Sequence, residues 1–294
     1  MLLGLKPVWL TLWLFRRSHE NVILNDKYNE YRGALTIERL LDIKHGYNFR
    51  DLGGYQTTDG HTTKWQRTVR SAALNQLNRA DLATLSAYGV HTILDFRTNQ
   101  ELLRAPDRVP GGAKDYHNPI LAIDDTRSSA TREELREDLS EPGYGHRQMI
   151  QTYHEMIADD FSQQAYRNFF DYLIANQKGT LLFHCTAGKD RTGLGAIMFL
   201  AALGVPQTTV LQDYLLTNEV SKAVLDANMD RLDGEGASAA VKDNIRALWT
   251  VHEDYFTAAM DEVKTQAGDL PHYLSDNLQL SDEKIAELRR LYLA

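Results

Sequence analysis

The sequence predicts an α/β fold: a central sheet flanked by helices, with a helical C-terminal part and a lid beside the sheet. Three observations predict it. Thr180 to Phe183 and Val90 to Phe96 are short apolar or β-branched runs of the kind that buried strands show. The first run leads through a tight Gly-containing loop into a helix that starts at about Arg191 and is almost wholly apolar from Leu194 to Leu203. Apolar residues then recur at helical spacing, both before that strand and in the last third of the chain.

Size and charge set limits. The chain has 294 residues and is 43% hydrophobic, enough for one large core or two modest ones. A formal net charge of -8 argues against nucleic acid as a partner, because binding a phosphate backbone needs a basic face. Cys185 is the only cysteine, so no intrachain disulfide can form, which suits a reducing, cytoplasmic setting.

Taken in order, Leu2 to Phe15 is apolar apart from Lys6 and Thr11 and is followed by Arg16 and Arg17. It falls short of the ~20 residues that a membrane span needs, and no small-residue cleavage site follows. Residues 1–39 are therefore expected to form an extension without stable membrane insertion. Export or membrane association through residues 1–17 is the alternative. Residues 40–294 are expected to form one catalytic domain.

Asn48 to Tyr55 reads NFRDLGGY, where Gly53 and Gly54 permit angles that other residues resist. Asp51 either staples that turn or takes part in chemistry. Thr68 to Ala72 reads as a strand, and Asn78 to Tyr88 as a helix capped by Asn78 and ended by Gly89. Asp95 ends the Val90 to Phe96 strand, at the edge where open α/β sheets bind ligands. Glu101 is expected to cap and pair on the helix that follows.

Asp115 to Ile120 suggests another strand. Leu121 to Gly145 is a long charged insertion, a lid or else a mobile loop, whose Arg127, Arg132, Arg136 and Arg147 either help to select acidic substrates or, alternating with acidic residues as they do, form a solvated helix face. Ile150, Tyr153, Ile157, Phe161, Ala165, Phe169 and Leu173 mark one or two helices that pack on the sheet. Pro206 to Glu219 and Ala239 to Gln266 are further helices, and Ser281 caps a last one. His154 and His252 lack the second ligand of a metal-binding pattern, so no metal is expected there.

The chemistry concentrates in Leu181 to Gly195, LLFHCTAGKDRTGLG. Five residues separate Cys185 from Arg191, the spacing of a loop whose amides cradle a phosphate. In such a loop the amides from Thr186 through Ala187, Gly188 and Lys189 to Arg191 face inward, Arg191 clamps phosphate oxygens, and the sulfur sits in line with the leaving group. A helix N-terminus and nearby cations favour the thiolate, which is the nucleophile. Thr192 is placed to stabilise the sulfur as it leaves phosphorus, and His184 to brace the loop.

HCTAGKDRTG resembles the signature of the cysteine-dependent tyrosine and dual-specificity phosphatases. With NFRDLGGY it is similar to a bacterial subfamily that acts on phosphotyrosine and often on phosphoinositides, and the likeness runs from about Leu40 to the C-terminus. The resemblance implies a tyrosine phosphatase-like sheet, a phosphocysteine intermediate, no cofactor and no metal. A phosphorylated protein or a phosphoinositide would be the substrate, with a small metabolite as the alternative. It also implies that Asp190 is the proton donor, with Asp95 the second candidate, that Arg50 and Asp51 brace the site, and that Lys189 adds a cation at its mouth. Asp159 and Asp160 sit where many relatives carry their acid, but in a stretch that reads as helix. A non-catalytic phosphoresidue-binding module would normally lack Cys185 or Asp190, and both are present.

Overall fold

Five strands form one sheet in the order β1-β2-β5-β3-β4. They are β1 (Arg50–Asp51), β2 (Thr68–Ser71), β3 (Val90–Asp95), β4 (Lys114–His117) and β5 (Thr180–His184). The computed structural model describes residues 39–131, 135 and 137–294. The apolar stretch at residues 2–15, Arg16, Arg17, Arg132 and Arg136 therefore lie outside the described residues.

Only β1 runs antiparallel; β2, β5, β3 and β4 are parallel. β5 is central, and its residues alternate between two cores: Leu181 and Phe183 join the larger cluster, Leu182 the smaller. Burial on both faces is why this strand reads as an unbroken apolar run. Register brings Ser71 and Asp95 abreast of His184, so the segments that follow β2, β3 and β5 emerge along one edge. That edge is where the site forms.

The helices follow the expected caps. Asn78 caps α1 (Arg79–Tyr88) in a reciprocal box with Asp81, and Gly89 ends it at φ +92°. Thr98 and Glu101 form the same box on α2 (Asn99–Arg104). The stripe ending at Leu173 resolves into α3 (Tyr144–Ala158) and α4 (Asp160–Ala175), parted at Asp159, which caps α4 through the Ser162 amide. Helix α5 (Arg191–Ala202) leaves the catalytic strand and is almost entirely buried, and α6 (Gln207–Val220) returns after Pro206.

Three features depart from expectation. Helix α7 (Lys222–Gly234) was not legible, because it buries only Ala223, Asn228 and Leu232. The expected Ala239 to Gln266 stripe breaks at Thr250 into α8 (Ala239–Trp249) and α9 (Glu253–Ala267). The insertion is less polar in place than in sequence, since Leu121, Leu135 and Leu139 all enter the larger core. Helix α10 (Asp282–Tyr292) closes the fold, with the Tyr292 hydroxyl donating to the Leu173 carbonyl at 2.8 Å. No helix among the described residues is long and apolar enough to cross a membrane.

Candidate active site

Carbonyls and amides of the Cys185 to Arg191 loop part company. The Cys185 carbonyl faces His184 Nδ1 at 3.2 Å, and that of Thr186 accepts from the Ala73 amide at 3.2 Å. The Ala187 carbonyl accepts from Asn48 Nδ2 at 3.1 Å; that of Gly188 accepts from Asn48 Nδ2 at 2.8 Å and Arg70 Nη2 at 2.9 Å. The amides of residues 186 to 191 find no acceptor among the described residues. In a trans peptide the N–H points opposite to its C=O, so carbonyls tied outward leave amides aimed inward. The result is an anion nest at the start of α5, whose dipole adds to it. Only glycine fits at 188, where φ is +67° and a Cβ would lie 2.3 Å from the Ser71 carbonyl oxygen.

Arg191 is fully buried and does not face solvent. Glu101 holds it with two bonds, Nη1 to Oε2 at 2.6 Å and Nη2 to Oε1 at 2.8 Å. Nη2 also reaches Ser128 Oγ at 2.9 Å, while Nε is buried with no partner. Glu101 therefore does more than cap its helix: Oε1 also accepts from the Thr186 hydroxyl and Oε2 from the Thr98 amide. Burial alone would raise its carboxyl, but Arg191 and these hydrogen bonds outweigh burial and hold it well below the ordinary carboxylate range. The Thr192 hydroxyl is buried without a partner, and Cys185 is itself 1% exposed.

Asp190 accepts from the Tyr153 hydroxyl at 2.9 Å and from Lys189 Nζ at 2.7 Å. Both donors use Oδ1, so Oδ2 is left without a hydrogen-bond partner among the described residues. Burial, then the charge of Asp190, keep Tyr153 a neutral phenol, and Tyr214 donates to it at 2.9 Å. Lys189 is 2% exposed and paired with Asp190.

Asp95, the second candidate acid, has both oxygens on the Arg97 guanidinium, at 2.7 to 3.0 Å, so neither is left for an ester oxygen. His184 Nε2 lies 3.1 Å from Asp107 Oδ2 and 3.9 Å from Asp95 Oδ1. Burial favours the neutral imidazole, but Asp107 and Asp95 outweigh it and raise the His184 pKa. These three side chains could in principle ligate a metal, yet Arg97 already engages both carboxylates. Asp51 proves to be the turn staple, accepting from the amides of Gly53 at 2.5 Å and Gln66 at 2.8 Å. Arg50 is buried against Asp213 on α6.

The model of the tyrosine phosphatase family matches residues 41–294. The chain belongs to that family. It is 33% identical over 253 residues to a Cupriavidus necator protein named as a tyrosine-protein phosphatase, covering 84% of this chain and 86% of that one. Identity to the triple specificity protein phosphatase PtpB of Mycobacterium tuberculosis is 29%, over 80% of this chain and 92% of the relative. Among solved structures, TpbA of P. aeruginosa aligns over 69% of this chain and 90% of its own, at 16% identity and a TM-score of 0.31. That likeness is too slight to carry the fold, which rests on the strands and helices described above.

This tyrosine phosphatase covers its loop with parts that were only half expected. Thr186, Ala187 and Lys189 share a cavity with Tyr47, with Arg127 of the insertion, and with Arg231 and Trp249 of α7 and α8. Arg127 lines the cavity with its Nε buried and unpartnered, which departs from the solvated face that was one of its two expected settings. Arg147 does lie at the surface, against Glu141. Sequence reasoning missed Asn48, Arg70, Tyr153 and Asp213 as parts of the site. Asn48 was within a quoted motif, whereas Tyr153 was hidden in an apolar stripe that packs the core.

Proposed function

We propose that this phosphatase hydrolyses phosphomonoesters at Cys185, with phosphotyrosine protein as the principal substrate. The Cys185 thiolate attacks phosphorus, forming the S–P bond as the ester P–O bond breaks. Asp190 gives its proton to the leaving oxygen. Water then attacks phosphorus, its proton passes to Asp190, and the S–P bond breaks to release phosphate and the thiolate. Amides of residues 186 to 191 and the free Nε of Arg191 hold the equatorial oxygens, and the Thr192 hydroxyl receives the departing sulfur. One observation carries this reading: a ring of amides without protein acceptors around a lone cysteine.

Residues 40–294 act as one catalytic domain in this proposal, in the cytoplasm, where a single thiol stays reduced. PtpB is named for triple specificity. Phosphoserine, phosphothreonine and phosphoinositide turnover are therefore to be compared side by side with phosphotyrosine peptide. The decisive test is Cys185→Ser. It should abolish turnover of an aryl phosphate while phosphate still binds, and chelators should leave the unmutated enzyme unchanged. Full activity in the variant sinks the covalent mechanism.

A further inference from the structure

Behind the catalytic loop lies a knot of three fully buried charged side chains: Arg50, Arg70 and Asp213. Every oxygen that Asp213 offers accepts a hydrogen bond. Oδ1 accepts from Arg50 Nε at 3.0 Å and the Tyr55 hydroxyl at 2.9 Å, Oδ2 from Arg70 Nη1 at 2.8 Å, and the backbone carbonyl from Arg50 Nη2 at 2.9 Å. Burial would raise this carboxyl, but Arg50 and Arg70 hold it well below the ordinary range. Two guanidiniums this close repel each other, and Asp213 is the group that lets both stay.

Each arginine has a free end, and both ends lead to the loop. Arg70 Nη2 donates to the Gly188 carbonyl at 2.9 Å. Arg50 Nη1 donates to Asn48 Oδ1. A guanidinium only donates, so Arg50 dictates that the carboxamide oxygen of Asn48 faces it and the NH2 faces the loop. That NH2 reaches the carbonyls of Ala187 at 3.1 Å and Gly188 at 2.8 Å. The peptides whose carbonyls are caught in this way carry the amides of Gly188 and Lys189, two of the donors aimed into the cup.

We propose that Asp213, on α6 and outside the loop, is a positioning residue for phosphate: through Arg70 and the Arg50–Asn48 pair it sets the direction of the Gly188 and Lys189 amides. The knot also leaves one net positive charge under the cup, where a dianion binds. This inference rests on the phosphate-binding reading of the loop, but not on the phosphocysteine intermediate.

The test compares Asp213→Asn with the unmutated enzyme, using vanadate and inorganic phosphate as probes and an aryl phosphate as substrate. An asparagine keeps the shape but places an NH2 against one of the two arginines. Vanadate and phosphate affinity should fall about tenfold or more together with kcat/KM, as expected when oxyanion donors are misaimed. A merely structural role would lower the active fraction and leave the affinity of the remaining active molecules unchanged. Arg70→Lys is the second arm, because an ammonium keeps the charge but has no planar fork to span Asp213 and Gly188. Folded protein from either variant that binds vanadate within twofold of the unmutated enzyme overturns the proposal. Should Cys185→Ser prove active, the covalent mechanism fails while a loss of anion affinity in Asp213→Asn still supports this one.

Discussion

The loop edge of the sheet and the C-terminal helices treat charge in opposite ways. At the edge, Arg191 with Glu101, Arg97 with Asp107, and Arg50 with Asp213 have side chains at most 2% exposed. Arg246 with Asp243 on α8, and Lys284 of α10 with Asp171 of α4, are between 39% and 70% exposed. Burying a charge pair often gains no stability over an apolar replacement, because desolvation offsets attraction. The edge is thus built for geometry, to aim amides and one guanidinium. Stability comes from elsewhere, from rings such as Phe96, Phe169 and Phe183 with centroids 4.9 to 5.7 Å apart.

Glu101→Gln is the hardest test of that contrast and carries the largest expected effect. It strips Arg191 of its counter-ion inside the protein, so stability should drop by about 3 to 5 kcal/mol and turnover by about 100-fold or more. Urea unfolding and an aryl phosphate assay read the two. The pair also sets a pH response. A carboxyl held below its ordinary value contributes fully above the unfolded pKa of about 4.3, and its contribution is lost as pH falls through the folded value. The variant should therefore lose less stability than the unmutated enzyme on acidification. A stable, active variant would mean that the edge is not organised around buried charge at all.

Phe169→Ala probes the other side. This ring is fully buried against Phe96, with centroids 5.3 Å apart and planes at 88°. Removing it should cost about 3 to 5 kcal/mol through lost transfer energy and a cavity. Turnover per folded molecule should stay unchanged at a temperature where the variant is folded. If activity falls with folding intact, core and cup are coupled more tightly than the contrast allows.

The same contrast explains what could be read in advance. Strands β2, β3 and β5, the caps at Asn78 and Ser281, and the Cys185 loop were legible, because each rests on local chemistry: period, capping or spacing. Glu101 was legible only as a cap, since nothing within its own helix reveals a bond to a residue 90 positions away. Arg70 looked like one residue of a strand and Asp213 like one of a helix. Their meaning depends on register, which sets Arg70 opposite Phe183 in the strand that leads into the catalytic loop. Helix α7 escaped because its buried face is three residues wide.

The smallest expected effect sharpens the comparison most, because length is held equal. Lys284 Nζ lies 2.8 Å from Asp171, the same distance as Arg191 Nη2 from Glu101. The largest difference is burial, with the Lys284 and Asp171 side chains 39% and 58% exposed, although Arg191 also makes a second bond to Glu101. Water screens the exposed pair, and the long lysine gives up rotamer freedom to make the contact. Lys284→Ala should therefore shift stability by less than about 0.5 kcal/mol and leave turnover untouched. Raising the salt concentration should shrink even that difference, whereas the Glu101→Gln effect should be nearly insensitive to salt. Urea melts of both variants at low and high salt separate the two regimes. A Lys284→Ala loss as large as that of Glu101→Gln would show that ion-pair length, not burial, governs what these contacts are worth in this protein.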